Sequence, residues 1–296
     1  MCRRRSCVGV WGSELKIGLV ACAQYPGLSL SNLALRDSLQ RLGAEVSVPV
    51  WNRDPYEMFL GNDLNVLRQT WDYQDDPAGY AAWFVRLEEL GGRVIASARQ
   101  ALWNNDKRTL VEVAGPDLAI PATVSLRDPI DPGQIADIPG EQIVLKPAVG
   151  GSGVGVERCA RADLLEGVAA ARREAPGRPM IAQEFLPEIA EGEWKMTCIK
   201  GRVVQAVRAV PKGDAFRINS RFQPDIQRMD PPAAALASAE SVLARLGAPV
   251  YARVDGVMRA GTFVCTELEL TDPDLYLHLD RAVSDRLAEA ILAEAH

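Results

Sequence analysis

The chain has 296 residues, 48% hydrophobic and 24% charged, with a net charge of −6. That length calls for two or three packed lobes rather than one continuous core. The acidic balance argues against a nucleic-acid surface as the main function, and no apolar run approaches a membrane span, so neither partner is expected.

Six cysteines form no CxxC pair, and with only two histidines a zinc site is not expected. They read as reduced thiols of a cytoplasmic protein. Met1-Cys2-Arg3-Arg4-Arg5 resembles the charged start of a targeting segment, but the apolar run after it is too short. Residues 1–14 are therefore expected to be a loose extension.

Lys16 to Cys22 reads as a buried strand and Ser29 to Leu42 as a helix ending at Gly43. Glu45 to Val50 is the next strand, so the opening is strand–helix–strand, the signature of a parallel sheet. A third strand, Leu64 to Arg68, runs into Gln69-Thr70-Trp71-Asp72-Tyr73, where parallel sheets bind ligands. A helix from Pro77 to Leu90 and a strand Arg93–Ile95 complete a lobe expected over 15–102. Trp103 to Val113 reads as a helix with Asn105 or Asp106 as its N-cap.

Ile143 to Val156 combines a strand, Lys146, a loop with four glycines in six residues (including Gly151 and Gly153, around Ser152) and a return strand. Glycines let successive N–H groups converge on an anion, and a preceding lysine suits a polyphosphate. No Gly-Lys-Ser/Thr closes the loop, which excludes a P-loop, and the strand that follows disfavours a dinucleotide-binding fingerprint. A flap over a nucleotide remains, beside the plainer reading of a surface hairpin. A helix over Arg161–Arg173 and a strand from Met180 to Pro187 follow.

Trp194–Ile199 and Arg202–Arg208 are strands, Pro232–Leu246 is a helix, Val250–Val257 and Phe263–Leu270 form a hairpin, and Asp280–His296 is a closing helix. On the hairpin, Glu267 and Glu269 share a face, with Asp255 opposite or within one residue of Glu267. Three carboxylates on one face suit a hard cation such as Mg²⁺; a solvated acidic face is the alternative. Lys146, Lys195, Arg208, Lys212 and Arg217 could neutralise phosphate oxygens, or could be scattered surface charges.

Taken in order, these groups resemble the ATP-grasp superfamily, and its glutathione-synthetase-like branch in particular, from about Trp103 to Pro273. The resemblance implies an α/β fold in three lobes: a parallel-sheet N-terminal lobe, a small flap lobe at about 118–186 and a larger antiparallel-sheet lobe, the last two within 103–296. It implies ATP and Mg²⁺ as cofactors, with Lys107 and Lys146 on the phosphates and Gln183, Glu184, Phe185 and Leu186 as the adenine hinge. Glu193 would lie near the ribose, and Asp255, Glu267 and Glu269 would hold magnesium, although many relatives have Asn at the last position. Lys195, Arg208 and Arg217 would act on the transferring phosphoryl group. Relatives often carry Gly-Gly shortly after the Arg-x-Asn element; here Arg217-Ile218-Asn219 is followed by Ser-Arg-Phe-Gln.

At finer grain the Arg68–Tyr73, Trp103–Arg108, Gln183–Trp194 and Tyr251–Tyr276 segments are similar to the cyclo-ligases of cycloserine biosynthesis, which close O-ureido-D-serine to D-cycloserine. That likeness implies a small amino-acid substrate against Gln24, Tyr25, Ser29, Asn32, Arg68, Thr70, Asp72, Tyr73 and Asn219, with Asp72 available for an ammonium. A linear carboxylate–amine ligase, a phosphotransferase and a nucleotide-binding regulator are the alternatives, and a homo-oligomer is left open.

Overall fold

A computed structural model describes residues 15–213, 217–218 and 222–296. The expected N-terminal extension and Asn219 lie outside the described residues.

The first lobe holds β1 (Lys16–Ala21), α1 (Leu30–Arg41), β2 (Glu45–Ser47), α2 (Tyr56–Leu60), β3 (Leu64–Gln69), α3 (Pro77–Glu89), β4 (Val94–Ile95), α4 (Ala98–Asn104) and α5 (Thr109–Val113). Its four strands are parallel in the order β2-β1-β3-β4. Every residue of β3 is buried, as a strand covered on both faces requires.

The helix expected from Trp103 to Val113 is broken in two. Trp103 and Asn104 close α4, which is capped by the Ser97 hydroxyl, and α5 begins only at Thr109. Tertiary bonds override the local preference. Asn104 bridges the backbone of Leu268 (2.8 Å) and Leu270 (2.6 Å), and the Lys107 amide donates to Ala148 O at 2.8 Å. The N-cap expected at Asn105 or Asp106 is not found: Arg108 holds that position of α5 without a side-chain cap, and Asp106 accepts the Arg108 amide at 2.9 Å in the turn before it.

The flap lobe consists of β5 (Thr123–Ser125), β6 (Gln142–Pro147), β7 (Glu157–Ala160), α6 (Leu164–Glu174) and β8 (Met180–Glu184). Its sheet is antiparallel, ordered β5-β8-β6-β7, and Ile143, Leu145, Val168 and Met180 fill the space under α6. The return strand starts at Glu157, beyond the positive-φ turns at Gly153 and Gly155.

The third lobe contains β9 (Glu193–Ile199), β10 (Arg202–Val210), β11 (Asp225–Arg228), α7 (Ala233–Arg245), β12 (Tyr251–Arg259) and β13 (Thr262–Glu269), in an antiparallel sheet ordered β11-β10-β9-β12-β13. One face of this sheet packs on α7 through Met196, Ala206, Ala239, Leu243 and Val254. The last helix, α8 (Arg281–Ala295), leaves this lobe and packs on α1. Its Leu287 and Ile291 share a core with Leu35, Leu39 and Ile17, so the end of the chain closes the N-terminal lobe.

The architecture is the three-lobed α/β fold expected. The opposite face of the third sheet, the flap sheet and the loop after β3 meet around one cleft.

Candidate active site

The cleft encloses a cavity of about 310 Å³, in the range that takes a small ligand. Its floor is the hairpin of β12 and β13. Asp255 pairs with Glu267 in the antiparallel register, and Glu267 and Glu269 face the cleft while Leu268 and Leu270 enter the core. One oxygen from each of Asp255, Glu267 and Glu269 lies within 4.8 Å of the others.

Cations compensate this charge. Lys107 Nζ donates to Glu267 at 2.8 Å, and Lys195 Nζ bridges Asp255 and Glu193 at 2.7 Å each. Arg253 donates to Asp255 through Nε at 2.8 Å and also to Glu269. Asp255 is fully buried, beneath the cleft rather than in its wall. Burial would raise Glu267, but the Lys107 and Lys146 ammoniums outweigh it and hold its carboxyl well below the usual range. Burial pushes Glu269 up to about 8 against the pull of Arg253, with the Glu267 and Asp255 charges adding to the rise. A set of hard oxygens this close fits Mg²⁺.

Lys107 and Lys146 flank the cleft opposite these acids. Burial, reinforced by the neighbouring Lys107 charge, pulls the Lys146 ammonium down to about 8. Lys107 is raised despite burial, because Glu267 faces it. Its Nζ also donates to Gly150 O at 2.8 Å, and Gln74 Oε1 accepts the Gly151 amide at 2.7 Å. The loop of Gly151, Ser152 and Gly153 is thus fastened over the cleft from the N-terminal lobe, with Ser152 at φ 54° and Gly153 at φ 72°.

Gln183, Glu184, Phe185 and Leu186 line the far end. The Gln183 amide donates to Thr123 Oγ1 at 2.9 Å, and the Glu184 carboxylate accepts from Arg259 at 2.6 Å, tying flap to sheet. The Arg158 guanidinium lies 4.9 Å from the Phe185 ring centre. Glu193 is in the wall, but its carboxylate is taken by Lys195 and by the Thr266 hydroxyl at 2.6 Å. Burial raises it, against the pull of Lys195. Arg217 lines the cleft and pairs with Glu157 at 3.4 Å. Arg208 stacks against Trp194, 6.0 Å from its ring centre, outside the cleft wall.

The expected substrate wall divides. Tyr73 lines the cleft, whereas Gln24 and Tyr25 are exposed outside it. Arg68 is fully buried, donating to Asn32 Oδ1 at 3.0 Å and Pro273 O at 2.6 Å, and lies 5.0 Å from the Tyr251 ring centre. Thr70 is equally buried and bonds Asp272 through both its amide and its hydroxyl at 2.7 Å. Asp72 accepts from Trp51 Nε1 at 2.7 Å, Asn52 at 2.9 Å and the Gln24 amide, so protein donors already occupy the carboxylate expected to meet an ammonium. Ser29 caps α1, and Asn32 holds Arg68. These side chains shape the loops behind the cleft instead of lining it.

Residues 119–248 match the family described as prokaryotic glutathione synthetase, ATP-grasp domain, and residues 17–96 match D-cycloserine synthetase DcsG, N-terminal domain. Within 119–248 the chain is thus similar to an ATP-grasp domain. A glutathione synthetase from Thermosynechococcus vestitus is 25% identical over 240 residues, 78% of this chain and 72% of that protein. One from Nitrosomonas europaea is 32% identical over 143 residues, 47% of this chain and 43% of its own. Among solved structures, D-cycloserine synthetase DcsG superposes with a TM-score of 0.80 at 23% identity, covering 95% of this chain and 100% of that one. D-alanine–D-alanine ligase from Bacillus anthracis follows at 0.69 and 16%, covering 95% and 97%.

Two groups in this ATP-grasp cleft escape the motif reading. Arg253 touches two of the three clustered acids; the signal was its position two residues before Asp255, on the same face. The other is the loop 271–276 behind β13, which contributes Asp272, Asp274 and Tyr276 to the wall.

Proposed function

We propose that the chain is an ATP- and Mg²⁺-dependent cyclo-ligase that converts O-ureido-D-serine to D-cycloserine. At the coarser level it is an ATP-dependent, ADP-forming carbon–nitrogen ligase. The observation that supports the finer reading is the match of 17–96 to the N-terminal domain of D-cycloserine synthetase, the region from which Trp71 and Tyr73 line the cleft.

ATP would lie between the flap sheet and the β9–β13 sheet, its base against the backbone of Gln183–Leu186 and its phosphates under Gly151–Gly153. Lys107 and Lys146 would hold the phosphates, and Asp255, Glu267 and Glu269 would hold Mg²⁺, which neutralises phosphate charge when bound. A substrate carboxylate oxygen attacks the γ-phosphorus, ADP leaves, and an acylphosphate forms. Lys195, Arg217 and Arg253 line the same region and offset the charge that builds there. The nitrogen bonded to the substrate's side-chain oxygen then attacks the acyl carbon, expelling phosphate. Holding both ends of one molecule in one pocket makes this step unimolecular. Hydrolysis of the carbamoyl group releases carbon dioxide and ammonia, which balances the equation with one water consumed. The fastened glycine loop would exclude other water from the acylphosphate.

A linear ligase is the second reading, favoured by the glutathione synthetase match over 119–248. Purified protein with ATP, Mg²⁺ and O-ureido-D-serine should release ADP, phosphate and ammonia and yield the ring product by mass spectrometry. A dipeptide from D-alanine, with no ring from the ureido compound, would overturn the cyclo-ligase reading in favour of the linear one.

A further inference from the structure

Among the described residues six carboxylates line the cleft: Glu184, Glu193, Glu267, Glu269, Asp272 and Asp274. Four of them hold a cationic side chain: Arg259 for Glu184, Lys195 for Glu193, Lys107 for Glu267 and Arg253 for Glu269. Asp272 is committed to Thr70, accepting its amide and hydroxyl on one oxygen, and is buried. Asp274 differs from all five. Its Oδ1 accepts the Tyr276 amide at 3.0 Å, and it pairs with no cation among the described residues.

The loop that carries it is held rigidly. Thr197 Oγ1 donates to Leu275 O at 2.9 Å, Gln205 Nε2 to Tyr276 O at 3.1 Å, and Arg253 Nη1 to Asp274 O at 3.1 Å. The Leu277 amide donates to Ser31 Oγ at 3.1 Å. Tyr276 sits at φ 53°, a left-handed turn that this bonding fixes. A carboxylate on so constrained a loop is pre-organised for a ligand. The Arg253 contact also fixes its distance from the chemistry, because the same guanidinium reaches Glu269.

We propose that Asp274 receives the α-ammonium of the substrate and so restricts this ligase to α-amino acids. In an α-amino acid a single carbon separates the ammonium from the carboxylate. The ammonium receiver must therefore adjoin the group that meets the carboxylate as it is phosphorylated, and Asp274 adjoins Arg253. The proposal rests on the ligase reading above and replaces Asp72, whose oxygens already serve Trp51, Asn52 and Gln24.

The test compares D274N with wild type on O-ureido-D-serine and on its des-amino analogue, 3-(ureidooxy)propanoate, following ADP release. D274N keeps an oxygen for the Tyr276 amide and removes the charge. Its KM for the amino substrate should rise about tenfold or more, as for loss of a charged hydrogen-bond partner, with the KM for ATP within about twofold. The analogue, a poor substrate, should be used equally by both proteins. An unchanged KM for the amino substrate, or an equal loss on both compounds, would overturn the proposal. D-Alanine and propanoate run in parallel separate the two readings. If only D-alanine is turned over, the cyclo-ligase reading fails, and a D274N effect on D-alanine but not propanoate still supports Asp274. Absence of ADP release from wild type with either amino acid overturns both.

Discussion

Burial and the adjacent Lys107 charge bring Lys146 down to about 8 in the nucleotide-free protein. A polyphosphate beside it supplies the opposite charge and restores the protonated form. Below pH 8 Lys146 already carries its proton, so ATP affinity should not depend on it. Above pH 8 the free protein loses that proton and binding must recover it, so affinity should fall by up to about tenfold per pH unit until the bound-state value is reached. At pH 8 itself, about half a proton should be taken up per nucleotide bound. Calorimetric titration in two buffers of different ionisation heat reads this uptake directly, and K146R should abolish it because a guanidinium stays charged. Stability carries the matching sign. The folded value lies below the unfolded value of about 10.4, so the unfolded chain binds more protons between the two, and stability should rise with pH across that window. The cost of the buried ammonium is fully present below pH 8. Heats independent of buffer at pH 8, or the same uptake in K146R, would refute this account of the lysine.

Glu267→Gln should reduce turnover by about a hundredfold or more at saturating Mg²⁺ with the fold retained by circular dichroism; near-normal turnover would remove Glu267 from the metal assignment. Gly155→Ala should destabilise the flap lobe by about 2 kcal/mol, since a Cβ there meets Ala175 Cβ at 2.8 Å and Ala171 O at 3.1 Å on a backbone at φ 67°. A thermal melt unshifted by that change would show that the turn relaxes freely.

The sequence made the carboxylate hairpin and the glycine loop legible because both are local. Alternation alone puts Glu267 and Glu269 on one face, and the run of glycines after Lys146 specifies a turn wherever it sits. The substrate side was read less well, for a physical reason. Arg68 and Thr70 occupy the end of a parallel strand, the usual place for ligand contacts, yet their partners are Asn32, Pro273 and Asp272, which only the folded chain brings close. The same holds for Asn104, whose bonds to β13 end a helix that local spacing would continue. The edge strand β11 has four exposed residues, Asp225–Arg228, and so lacks the alternation that reveals a strand. Asp274 was missed because its significance lies in what its neighbours on other strands leave unpaired.

The central claim is that ATP activates the substrate's carboxylate. O-Ureido-D-serine labelled with ¹⁸O in that carboxylate tests it most directly, with the released phosphate analysed by mass spectrometry. Attack of the carboxylate on the γ-phosphorus and displacement by nitrogen must carry one labelled oxygen into each phosphate formed. Unlabelled phosphate, released alongside D-cycloserine, would contradict the account.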